Sequence, residues 1–187
     1  MLSAVLILLQ LWSLQVVVVS KPTCQVHGDL IQTAHNLLRG LGEEFPDHCL
    51  PYNANITFPR SLISATAASQ SQCPKALNAL NETLWGAQLK FQNPGVPLGE
   101  GGVNWNPNGL EQFQGVCHRL IRQMSCMRNF GGSDVLTAYF SNVEAVLQQP
   151  ESAACGWMAL RRDLMRFLNS TLHKNRTCFI WRSSKRL

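Results

Sequence analysis

Seven cysteines are the residues of this chain whose chemistry follows most directly from their type and number. They stand at Cys24, Cys49, Cys73, Cys117, Cys126, Cys155 and Cys178. In a chain that enters the secretory pathway, such a set indicates disulfides and not a pool of reduced thiols. Because the number is odd, at least one thiol stays unpaired in a monomer, or pairs with a second chain.

Catalytic and metal-binding patterns are missing from the sequence. The histidines His27, His35, His48, His118 and His173 do not have metal-ligand spacing. There is no G-x-S-x-G, H-E-x-x-H or P-loop pattern, and Gly99-Glu-Gly-Gly102 lacks the lysine that a phosphate cradle needs. The eleven acidic residues are scattered and form no evident catalytic pair. The sequence therefore predicts a protein that is not an enzyme and has neither a cofactor nor a metal.

The first twenty residues form an apolar, uncharged segment. Val18 and Ser20 are small enough for the −3 and −1 positions of a signal-peptidase site. We therefore expect residues 1–20 to be a signal peptide and residues 21–187 to be a single secreted domain. A retained membrane anchor is the alternative, although the apolar run is short for a membrane span.

Two further features agree with secretion. Four Asn-x-Ser/Thr triplets provide candidate N-glycosylation sites at Asn55, Asn81, Asn169 and Asn175. The stretch from Arg161 to Leu187 contains eight basic residues and one acidic residue. Its last part, about residues 174–187, reads as a basic tail that could bind a glycosaminoglycan or an anionic membrane. Nucleic acid is the least expected partner for a secreted protein.

Apolar residues recur at helical spacing along most of the chain. The pattern predicts helices over residues 25–45, 61–69, 73–91, 110–124, 135–147 and 153–172. Turn-forming residues dominate 46–60 and 93–109, which we expect to be long loops. No segment alternates with the period of a strand. These features predict an all-α, up-up-down-down helical cytokine bundle of about five helices with long crossover loops.

The most specific motif spans the last two predicted helices. Tyr139-Phe140 precedes Cys155 by sixteen residues, and Cys155-Gly156-Trp157 opens the final helix. That helix continues with Arg161, Asp163, Leu164, Met165 and Arg166. An independent motif lies in the first long loop, where Cys49-Leu50 is followed by Phe58-Pro59.

Together the two motifs resemble the signature of type I interferons, and the chain looks most like the fish interferons with four cysteines. Gly156 stands where the family usually has alanine. Asn53 stands where the loop of the family carries an important arginine. The receptor partner, or the affinity for it, could differ accordingly.

The resemblance implies a disulfide between Cys49 and Cys155, and a second one between Cys24 and either Cys126 or Cys117. We choose Cys126, because Cys117 points with the core-facing residues of its helix and acts there as a small apolar side chain. Cys73 and Cys178 have no counterpart in the family. They pair with each other, or one of them stays free.

The resemblance also implies a receptor-binding surface made of the first loop and the final helix. Leu50, Arg161 and Arg166 match family positions that face a receptor chain, and Arg162 is a further candidate without a basic counterpart. The alternative is a solvated helix face on which Asp163 and Arg166 pair with each other.

By this resemblance the protein would be a secreted cytokine. It would bind a two-chain class II cytokine receptor and induce an antiviral state through kinase signalling. One alternative is a helical cytokine of the lambda-interferon or interleukin-10 kind, which should have a different cysteine plan. The other is a disulfide-stapled membrane- or lipid-binding protein that uses its basic tail.

Overall fold

The computed structural model describes residues 24–54, 56–64, 70–127 and 132–182. Its α-helices are α1 (Gly28–Arg39), α2 (Arg60–Ser64), α3 (Cys73–Lys90), α4 (Pro107–Gln123), α5 (Asp134–Leu147) and α6 (Ala153–Lys174). Shorter 3-10 segments cover Asp47–Ala54, Gln70–Gln72, Ser125–Met127 and Arg176–Cys178, and a π-helical turn covers Phe91–Gly95. The predicted signal peptide, the predicted glycosylation site Asn55 and the last five residues lie outside the described residues.

The long helices form the predicted up-up-down-down cytokine bundle, so the predicted fold class is confirmed. Helix α1 packs against α4 and α6, while α3 packs against α4 and α5. The described residues contain two isolated β-bridges and no strand. None of their helices combines the length and apolarity needed to cross a bilayer.

Helix α6 contributes much of the core. Its residues Trp157, Leu160, Leu164 and Leu168 are buried, as the predicted apolar stripe requires. The Trp157 ring stacks on Phe91 at a centroid distance of 5.6 Å. Because its core face is occupied along most of its length, α6 is a fixed element on which loops can be positioned.

Helix α1 is shorter than its apolar pattern predicts. It ends at Arg39, whereas the pattern runs on to Phe45. Leu41 is buried and Phe45 is half-buried although both belong to an irregular segment. Their apolar side chains serve the core from a loop, and helical periodicity cannot distinguish this case from a longer helix.

The described part of the predicted basic tail folds back onto residues 26–28, at the beginning of α1. The Ile180 N–H donates to the Val26 carbonyl, and the Gly28 N–H donates to the Ile180 carbonyl, both at 2.9 Å. A side chain at Gly28 would collide with the ring of Trp181, since its Cβ would lie 2.6 Å from that ring. Residues 175–182 are therefore packed on the bundle.

Helix α3 contacts α5 at a glycine, Gly86. A Cβ added at Gly86 would lie 2.2 Å from the Phe140 ring. The ring is packed against Tyr139 at a centroid distance of 5.1 Å and has little room to withdraw. Gly115 on α4 is a matched control, because it is helical and exposed and a Cβ there would meet nothing within 4 Å.

We expect Gly86→Ala to destabilise the protein by about 1–3 kcal/mol, because the overpacking at Phe140 outweighs the gain in helix propensity. Gly115→Ala should instead stabilise it by about 0.5–1 kcal/mol. Urea unfolding of the two variants measures both changes. Equal stabilisation by the two substitutions would contradict the close α3–α5 contact.

Candidate receptor-binding groove

A groove of about 710 Å³ lies between the end of α1, the loop that follows it, and α6. Its lining includes all four residues that the sequence analysis assigned to a receptor surface, namely Leu50, Arg161, Arg162 and Arg166. Residues far apart in sequence thus meet at one surface. Their environments differ, however, and so do the roles they can perform.

The loop side of the groove is fixed by a disulfide between Cys49 and Cys155, with a Cα–Cα distance of 5.1 Å. Both half-cystines are buried. Leu50 follows immediately and keeps 55% of its side chain exposed. The bond therefore holds a large apolar side chain in solvent next to the start of α6.

Two further disulfides join Cys24 to Cys126 and Cys73 to Cys178, with Cα–Cα distances of 5.9 and 5.3 Å. The first is the pairing chosen from the resemblance, and the second is one of the two alternatives left open. Cys117 is free and buried. Burial raises the pKa of the Cys117 thiol, which keeps it protonated and unreactive.

His48 lies near Cys49 and Cys155 and could complete a metal-ligand set with them. Both sulfur atoms are used in the disulfide, so neither is available as a thiolate ligand. This cluster therefore favours a covalent link and not metal binding.

Arg161 is only 3% exposed, and its guanidinium points at the end of α1. Its Nε donates to the Leu38 carbonyl at 2.7 Å, and its Nη2 donates to the Arg39 carbonyl at 3.0 Å. These carbonyls belong to the last turn of α1, where helix carbonyls lack partners within the helix. Arg161 thus caps α1 from another element of the fold.

The same guanidinium also fixes the loop. Nη2 donates to the Gly42 carbonyl at 2.8 Å, and Nη1 donates to the Glu43 carbonyl. Burial lowers the pKa of Arg161 from its usual value, and the nearby Glu44 carboxylate opposes this change. Arginine remains protonated at physiological pH in spite of such a shift.

This burial and these hydrogen bonds disfavour the predicted contact between Arg161 and a receptor. The fold uses the side chain internally, and a partner cannot reach it without opening the loop. A signal for this role was present in the sequence. Arg161 follows Trp157 by four residues and precedes Leu164 by three, which puts it on the core-facing stripe of α6.

Arg162 is mostly buried and links three elements. Its Nε donates to the Asp163 carboxylate at 2.9 Å, and its guanidinium lies 4.5 Å from the centroid of the Phe45 ring. Asp163 is buried too and accepts a hydrogen bond from the Tyr139 hydroxyl at 3.2 Å. The pair expected from the sequence as an alternative, Asp163 with Arg166, is replaced by this arrangement.

Burial of Asp163 and its interaction partners have opposite effects on its ionisation. Burial raises the pKa of Asp163, and the Arg162 guanidinium and the hydrogen bond from Tyr139 oppose the rise. Burial and the Asp163 carboxylate raise the pKa of Tyr139, so its hydroxyl remains a donor. Arg162 consequently holds Phe45 at the groove and keeps little of its own surface for a partner.

Arg166 is the exposed cation among the three arginines. It lies one turn beyond Arg162 on α6 and shares the groove lining with Leu50. The outer surface of the groove thus offers an apolar side chain on one side and a guanidinium on the other. Such a pair can bind a partner that presents an apolar or aromatic residue beside a carboxylate.

The candidate glycosylation sites differ in accessibility. Asn169 is exposed and lines the groove, and Asn81 is half-buried on α3. Asn175, just after α6, is only 5% exposed. The burial of Asn175, where the chain turns back toward the bundle, disfavours the predicted glycosylation of this residue.

The helical bundle, with the first long loop linked to its last helix by a disulfide, has the fold of the helical cytokines. Within that class, the structure is similar to zebrafish interferon 2, with a TM-score of 0.64 and 24% sequence identity. The similarity covers 80% of this chain and 99% of the zebrafish chain. No family model and no curated protein matches the sequence. At this identity the similarity demonstrates the fold.

The arrangement around Arg161 predicts a large loss of stability on its removal. Arg161→Met keeps an unbranched apolar stem but removes the guanidinium that donates to four backbone carbonyls, which should cost roughly 2–4 kcal/mol in unfolding free energy. Arg166→Met is the matched control on the same helix and should change stability little, because Arg166 is exposed. Denaturant unfolding compares the two. Similar small losses in both variants would contradict the capping role of Arg161.

Proposed function

We propose that this chain is a secreted cytokine of the type I interferon kind that binds a two-chain class II cytokine receptor. The observation that carries the proposal is the groove. Leu50 and Arg166, chosen from sequence motifs, lie on the lining of one groove in a fold shared with an interferon. The function is binding, and the chain acts by bringing two receptor chains together.

The first receptor chain contacts the groove. Arg166 supplies a planar guanidinium for carboxylate or aromatic side chains, and Leu50 supplies an apolar contact. Arg161 and Arg162 act as positioning residues, since one holds the loop and the other holds Phe45. The faces of the middle helices engage the second receptor chain. Associated kinases inside the cell then induce the antiviral state.

Secretion follows from the same proposal. Residues 1–20 act as the signal peptide, and three disulfides form in the oxidising environment of the secretory pathway. The cysteine plan favours the type I interferon kind over the lambda-interferon or interleukin-10 kind, because the bond from Cys49 to Cys155 joins the two motifs of the resemblance.

A membrane-active role has less support. Phe179 in the C-terminal segment is buried, and the Trp181 ring packs over Gly28 and next to Arg176. These aromatic side chains are therefore already in use within the fold. The exposed cations of the segment, Arg176 and Arg182, are available for a glycosaminoglycan as an additional partner.

Charge reversal at Arg166 tests the proposed receptor contact. Arg166→Glu should weaken binding to the first receptor chain at least tenfold, because a guanidinium at the centre of a contact typically contributes more than about 1.4 kcal/mol. Arg119→Glu, an exposed arginine on α4 outside the groove, is the matched control. Surface plasmon resonance on the isolated receptor ectodomain gives both affinities. Unchanged binding by a folded Arg166→Glu protein would rule out this surface.

Removing each disulfide in turn distinguishes an effect on stability from an effect on receptor affinity. The bonds from Cys49 to Cys155 and from Cys24 to Cys126 span 106 and 102 residues. Because the two loops are of similar length, removing either bond should lower the free energy of unfolding by about 4–5 kcal/mol according to the chain-entropy relation. Only the double variant Cys49→Ser/Cys155→Ser should also lose receptor affinity, since Leu50 is then no longer fixed. Equal affinity losses in the two double variants, compared at a temperature where both are folded, would argue against the loop as the contact.

A further inference from the structure

Helix α3 exposes an apolar stripe to solvent. Trp85 keeps 55% of its side chain exposed and Leu89 keeps 51%. The two residues are one helical turn apart and therefore lie on the same face. Contiguous exposed apolar patches mark surfaces that a partner or ligand covers, whereas single exposed apolar residues do not.

A candidate glycosylation site lies one turn before this stripe. Asn81 belongs to the triplet Asn81-Glu82-Thr83 and precedes Trp85 by four residues on the same helix. Side chains of a helix lean toward its N-terminus, so the indole of Trp85 covers the turn that carries Asn81. A sugar linked to the Asn81 amide would thus start beside the indole. The C–H groups of a sugar ring suit the electron-rich face of an indole.

Thr83 supplies a second, independent observation. Its side chain is fully buried, and its hydroxyl has no hydrogen-bond partner. A buried hydroxyl without a partner lowers stability, and valine would fill the same space without that cost. The folded core therefore gives no reason for a hydroxyl here. The N-glycosylation triplet does, because its third residue must be serine or threonine.

We propose that Asn81 carries an N-linked glycan whose first sugars pack on Trp85 and Leu89 and cover the apolar stripe of α3. The donor is a lipid-linked oligosaccharide in the secretory pathway. Nδ2 of Asn81 forms a bond to the anomeric carbon of the first sugar and loses one proton, while the bond from that carbon to the lipid pyrophosphate breaks. Transfer to the unfolded chain precedes the burial of Thr83, so the folded position of the hydroxyl does not obstruct it.

This glycan rests on the proposed secretion but is separate from the receptor groove, and it leaves to the second receptor chain the faces of the middle helices other than this stripe. The groove lies against α1 and α6, whereas the stripe lies on α3. Of the candidate sites with described accessibility, Asn175 is buried and Asn169 lines the groove. Asn81 is the one next to an exposed aromatic side chain.

The test uses the full chain secreted from vertebrate cells. Peptide mass spectrometry after glycosidase treatment in heavy-oxygen water should find Asn81 occupied. Asn81→Gln should lower the Tm by ~2–4 °C and increase acrylamide quenching of tryptophan fluorescence, because Trp85 becomes uncovered. In the Trp85→Ser background the same Asn81→Gln change should leave the Tm almost unaffected. Thr83→Val should lose the glycan as well, but should be more stable than Asn81→Gln.

Three results would overturn the proposal. The first is secreted protein with Asn81 unmodified. The second is a Tm loss on Asn81→Gln that is equally large in the Trp85→Ser background, which would separate the glycan from the stripe. The third is loss of receptor signalling on Trp85→Ser in folded, glycosylated protein, which would make the stripe a docking surface for a protein. Each of these results leaves the Arg166 test unaffected.

Discussion

The groove depends on one buried cation. Arg161 donates to four backbone carbonyls, two in the last turn of α1 and two in the loop that follows. A buried charge is stable only when its hydrogen bonds are satisfied, and carbonyl groups satisfy it without a carboxylate. This guanidinium ends α1 at Arg39, fixes the direction of the loop, and ties both to α6. The backbone that leads to Phe45 and Leu50 therefore begins at a fixed position.

The three arginines of α6 illustrate how helix geometry assigns different roles to one residue type. Arg161 lies on the core-facing stripe and binds backbone carbonyls. Arg162, one residue further, reaches the edge of the core and lies between Asp163 and Phe45. Arg166 lies one turn beyond Arg162 and faces solvent. A rotation of 100° per residue therefore separates a buried, a partly buried and an exposed arginine within six residues.

Much of this arrangement could be predicted from the sequence. Helical periodicity predicts the bounds of helices α3 to α6 to within a few residues, because each helix buries one continuous stripe of apolar side chains. The resemblance of the two motifs led to Leu50 and Arg166. Two aspects could not be predicted from local patterns. Helix α1 stops where a side chain more than a hundred residues away takes its carbonyls, and Asn175 is buried because the C-terminal segment pairs with residues near Val26. Both are tertiary effects.

Rigidity connects the fold to its proposed use. The segment from Leu41 to Ala54 contains a 3-10 segment but no α-helix or strand, and a loose loop of that length would lose much conformational entropy on binding. Instead the loop is held by the Arg161 hydrogen bonds at its start and by the Cys49–Cys155 bond near its middle. Most of the ordering is thus completed during folding, before a receptor is met. A preorganised loop leaves more of the contact energy of Leu50 and Arg166 available as affinity.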